Sequence, residues 1–142
     1  MEPIKGEHFR KSVISDRTAL IIDTADYFVA LREACLKAER HIYILSWDVQ
    51  SQVELVRGKE VSDGFPTSFK AFLNELAKKR RIQVRLLVWD FAMIYALERD
   101  WLTPYEFSWR THRRFKFMWD SHHPVGASQH QKVVVIDDKV AF

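Results

Sequence analysis

His41-Ile42-Tyr43-Ile44-Leu45-Ser46-Trp47 is dense in β-branched and aromatic side chains and reads as a buried strand. The flanking segments are read from it in both directions. Upstream, Ala25 to Arg40 sets Phe28, Leu31, Cys35 and Ala38 at helical spacing with charges between them. That helix follows Asp23-Thr24, either of which can cap it, and Ala19-Leu20-Ile21-Ile22, a short apolar run read as an earlier strand. Downstream, Gly58 and Gly64 punctuate a polar loop, and Pro66 opens a second helix with Phe69, Phe72, Leu73 and Leu76 on its apolar face. Lys78 to Arg81 end it, where cations suit the dipole. Ile82 to Trp89 is the next strand. Helical pattern follows over Phe91 to Leu102, with a short turn over Pro104 to Trp109. Arg114 to Trp119 alternates as a strand, Gln131 to Ile136 is a β-branched run, and Val140-Ala141-Phe142 begins another. Strands alternating with helices predict an α/β fold, a sandwich around a mixed, mainly parallel sheet.

Composition narrows the class. The chain has 142 residues, 47% hydrophobic and 29% charged, which suits one soluble globular domain over 1–142. Residues 1–17 mix charge with isolated apolar residues and read as a loosely packed N-terminal segment without a signal peptide. A single cysteine, Cys35, excludes an internal disulfide and reads as a packed core thiol. No apolar run approaches the length of a membrane span, so the expected location is cytoplasmic or peripheral on a membrane. The net charge of +3 is uneven. Residues 1–71 carry 10 basic and 11 acidic side chains, and the rest carry 12 and 8. The excess is densest over Arg110-Thr111-His112-Arg113-Arg114-Phe115-Lys116, a pattern that suits either a solvated face or an anionic partner.

The sharpest chemical signal is Gln129-His130-Gln131-Lys132-Val133-Val134-Val135-Ile136-Asp137. On a strand, residues i and i+2 share a face, so His130 and Lys132 are expected side by side while the Val and Ile residues anchor them. An imidazole beside an ammonium suits phosphoryl chemistry: the ring attacks phosphorus or moves a proton, and the cation steadies the phosphoryl oxygens. Asp137, after the apolar run, is placed to fix local geometry. Other constellations are weaker. Asp120, His122 and His123 read as a polar loop more readily than as a zinc site, and Ser128 as a turn residue.

The motif His130-x-Lys132-x4-Asp137 resembles the signature of the phospholipase D superfamily, in its bacterial phospholipase D and transphosphatidylase form. The resemblance extends over Ile42–Asp48, Leu86–Asp90, Tyr95–Arg99 and His123–Lys132. It implies one half of a pseudo-dimer in which two such motifs meet to form one active site on an α/β/α sandwich. One motif histidine becomes a phosphohistidine, the other protonates the leaving alcohol, and both lysines hold the phosphoryl oxygens. By carry-over the catalytic set is His130, Lys132 and Asp137, with Asp137 in a structural role, and the scheme requires no metal or cofactor. The implied partners are a phospholipid at a membrane surface and a second His-x-Lys-x4-Asp half.

Only one motif is present, and the chain ends five residues after Asp137 on an apolar, strand-like segment. The expectation is therefore a half-domain cut at its C-terminus, with little or no turnover by itself. Two alternatives stand beside it. One is a single-motif nuclease working as a homodimer, with Arg110 to Lys116 on the nucleic-acid backbone. The other is a non-catalytic, partner-binding fragment.

Overall fold

A computed structural model describes residues 5–7, 10–58, 61–90, 107, 111–124 and 126–141. The helical expectations over 91–102 and 104–109 lie outside these residues, apart from Phe107. Two helices and five strands follow in the order α1 (Thr24–Leu36), β1 (His41–Ser46), α2 (Phe69–Lys79), β2 (Gln83–Trp89), β3 (Phe115–Asp120), β4 (Val133–Ile136) and β5 (Lys139–Ala141). The strands form one sheet in the order β3-β2-β1-β4-β5. β1 pairs with β2 and β2 with β3 in parallel, while β4 is antiparallel to both β1 and β5. Four of the five strands thus run one way, giving the α/β fold with a mixed, mainly parallel sheet.

Strand parity divides the two faces. Ile42, Ile44, Val84, Leu86, Val88, Phe115 and Val134 are buried on one face, in a single cluster with Cys35 of α1 and Phe69, Phe72, Leu73, Leu76 and Ala77 of α2. Both helices therefore cover the same face, and no second helical layer is found among the described residues. Phe107 is buried in that cluster and stacks on Phe117 with ring centroids 5.3 Å apart.

Local chemistry sets the element ends. Asp23 caps α1, its carboxylate accepting the Ala25 N–H at 2.8 Å. The helix ends at Leu36, short of the expected Arg40. The N–H groups of Glu39, Arg40 and His41 donate instead to the Asp137 carboxylate, at 2.7, 2.9 and 2.9 Å. The first free N–H groups of α2 are taken by the preceding loop, Phe69 N–H donating to Val53 O and Lys70 N–H to Ser51 O.

Two sequence expectations are corrected. Ala19 to Ile22 forms no strand: β1 already has a neighbour on each edge, and Leu20 and Ile22 are largely exposed. Arg32, one of the charges between the apolar positions of the first helix, is buried. Its Nη2 lies 2.7 Å from Asp63 Oδ1, its Nη1 donates to Pro66 O at 2.6 Å, and its guanidinium sits 4.3 Å over the Phe72 ring. That one cation ties the glycine-punctuated loop to both helices.

Candidate active site

The parallel strands β1 and β2 end together at Ser46 and Trp89, and the antiparallel β4 begins at that same edge. The crevice outside the carboxyl ends of parallel strands is where open α/β sheets place their ligands. Reversing β4 is what brings the segment before it to that edge. Pairing of β4 with β1 stops at Leu45↔Val133, so His130 and Lys132 stand on the extended lead-in to β4, not on the strand itself as its spacing predicts. They remain neighbours: Lys132 Nζ lies 3.3 Å from His130 Nδ1, and both residues are exposed. An ammonium has only donors, so Nδ1 accepts in this contact and the ring proton resides on Nε2.

Aromatic rings flank the pair in a row. Trp47, just past β1, packs against His130 with centroids 5.1 Å apart and stacks on Trp89 at 5.9 Å. Trp89 in turn meets His123 at 5.5 Å. Trp47 Nε1 donates to Ser128 Oγ at 3.0 Å, pinning the loop that carries His130. His123 Nε2 is 2.9 Å from the Asp90 carbonyl, tying the same loop to the end of β2. Ser128, expected from the sequence as a turn residue, is thus also the acceptor for Trp47. The row is assembled across three separate segments, and only the Trp residues closing each of two strands hinted at it. Among the described residues, no group of three or more His, Cys, Asp or Glu is arranged to hold a metal ion.

On the helix side, an apolar cavity of about 530 Å³ opens between α1, the end of β1 and the start of β4. Tyr27, Phe28, Leu31, Ile44 and Val134 line it, and Lys132 is at its wall.

Asp137 stands apart, separated from Lys132 by the four residues of β4, about 13 Å of strand. Asp137 and Asp138 form the two-residue turn into β5, with φ of 46° and 69°, the left-handed pair that a tight hairpin uses. The N–H groups of Glu39 and His41, with that of Arg40, hold the Asp137 carboxyl down at about 2. Asp138 closes the corner with an ion pair to Arg40 at 2.7 Å. The structure thus brings His130 and Lys132 together and seats Asp137 at the opposite edge, where it anchors the start of the central strand.

Comparison with known proteins yields distant relatives. The chain is 27% identical over 130 residues to phospholipase D A of Dictyostelium discoideum, covering 87% of this chain and 10% of that protein. It is 30% identical over 126 residues to phospholipase D C of the same organism, covering 85% of this chain and 7% of that protein. The chain therefore spans a tenth or less of the length of these relatives. No family model matches it. Most of the chain is thus distantly similar to phospholipase D enzymes. No helix among the described residues is long and apolar enough to cross a membrane.

Proposed function

We propose that this chain supplies one half of a phospholipase D-type phosphodiesterase centre, with His130 and Lys132 as its reacting pair and a phospholipid as substrate. The observation that carries the reading is the 3.3 Å pairing of Lys132 Nζ with His130 Nδ1 at the open edge of the sheet. The apolar cavity at Lys132 favours a substrate with hydrocarbon beside its phosphodiester, a lipid over a nucleic acid.

The chemistry follows from the donors. A phosphodiester entering the edge draws the Lys132 ammonium onto its phosphoryl oxygens, which frees Nδ1 to take the ring proton. The Nε2 lone pair then attacks phosphorus; the N–P bond forms as the P–O bond to the head-group alcohol breaks. The departing oxygen takes a proton from the histidine of a second His-x-Lys-x4-Asp half. Water, deprotonated by that same histidine, attacks phosphorus and releases His130 and a phosphatidic acid. If an alcohol replaces water, the product is a new phosphodiester. Lys132 stabilises the charge that grows on the phosphoryl oxygens through both steps. Asp137 does not touch the substrate in this reading; it holds the strand that carries the pair.

The test supplies the second half, by co-expression or in the same polypeptide, and measures phosphatidylcholine and DNA hydrolysis in parallel. Head-group release that disappears in His130→Ala supports the reading. Release that survives His130→Ala, or cleavage confined to DNA, overturns it.

A further inference from the structure

At the opposite edge of the sheet, where β2 and β3 begin, lies a second concavity of about 270 Å³ lined by Gln83, Arg85, Arg113, Arg114 and Lys116. Four of its five lining residues are cationic and none is acidic. Arg85 and Lys116 are direct cross-strand partners in the β2–β3 register, and like charges so placed work against a sheet. Arg85 is on an interior strand, so this is not an ordinary charged sheet edge. Among the described residues none of the four cations forms an ion pair, although carboxylates pair with Arg32 and Arg40 elsewhere. The Arg85 guanidinium is held in place by the Gln83 side-chain oxygen at 3.1 Å and the Tyr43 ring at 5.9 Å. A steadied, planar guanidinium among uncompensated cations matches the oxygens of a phosphate group. The small volume suits a compact anion, and four charges suit one carrying more than a single negative charge.

We propose that this cleft binds a compact multivalent phosphate, as a free polyphosphate or as a phosphomonoester lipid head group. The site is separate from the His130–Lys132 edge and serves to recruit or regulate.

The experiment uses the intact chain with three probes: tripolyphosphate, phosphatidylcholine vesicles doped with phosphatidic acid, and a short DNA duplex. Binding is followed by calorimetry for the soluble probes and by co-sedimentation for the vesicles. Tripolyphosphate or the doped vesicles should bind, more weakly as salt rises, and whichever binds identifies the source. Arg85→Gln with Lys116→Gln should weaken that binding about tenfold or more, whereas His130→Ala leaves it unchanged. Removing a like-charge pair should keep or raise the melting temperature of the ligand-free chain. A second pair, Arg113→Gln with Arg114→Gln in the turn, should weaken binding similarly and serves if the strand variant misfolds. Failure of both phosphate probes, binding of DNA alone, or equal binding by the glutamine variants would overturn the proposal.

Discussion

The two ends of β4 are built on opposite plans. Its tail is over-determined: the Asp137 carboxylate accepts three backbone N–H groups from a segment nearly a hundred residues earlier, and Asp138 adds an ion pair beside them. Its head is exposed and lightly held: among the described residues, His130 is met by a hydrogen bond from Lys132 and a ring contact with Trp47. A short, firmly tethered strand is thus preceded by an exposed pair whose mutual contact lies outside the sheet ladder. In the proposed reading, rigidity at one end makes looseness at the other useful, because Lys132 would leave Nδ1 for a phosphate without disturbing the sheet.

Breaking the head should abolish chemistry and spare the fold. His130→Ala, in the presence of a second half, should lower phospholipid hydrolysis by about a thousandfold or more, with the thermal melt of the chain unchanged. Breaking the tail should do the reverse. Asp137→Ala leaves three N–H groups without their acceptor and should cost about 2–3 kcal/mol in denaturant unfolding, with Asp137→Asn milder because its amide keeps an acceptor oxygen. A fall in stability on His130→Ala as large as that on Asp137→Ala would erase the contrast.

Acid sharpens the comparison. Folding lowers the Asp137 carboxyl from an ordinary value of 3.8 to about 2, so the folded state favours its ionised form. Its contribution is complete above the unfolded value and is lost as pH falls from about 4 toward 2. Denaturant midpoints measured across that window should drop in the native chain and flatten in Asp137→Asn. The smallest expected effect belongs to Trp47→Phe, which keeps a ring beside His130 but removes the donor to Ser128. It should cost about 1 kcal/mol of stability and raise KM more than it lowers kcat.

The legible parts of the fold were those decided within one segment. β1, α2 and β2 follow from local apolar patterning, and the neighbouring of His130 and Lys132 follows from their i, i+2 spacing. What escaped was set by distant partners. The early end of α1 depends on Asp137, and the burial of Arg32 depends on Asp63 and two carbonyls in a loop over thirty residues away. Ala19 to Ile22 has strand composition, but composition does not supply a free sheet edge. The basic run over 110–116 was visible in the chain. Its meeting with Arg85 was not, because that requires the register of two strands.

The order of the strands bears on how the chain folds as it is made. β1 lies mid-sheet between a neighbour about forty residues later and another about ninety residues later, and the His41 N–H at its start donates to Asp137. β1 therefore stays an unfinished ribbon until the segment around Asp137 has been made, and contacts so remote in sequence close slowly. Removing the β4–β5 hairpin would strip the central ribbon of a flank and the turn before it of the carboxylate that accepts its N–H groups.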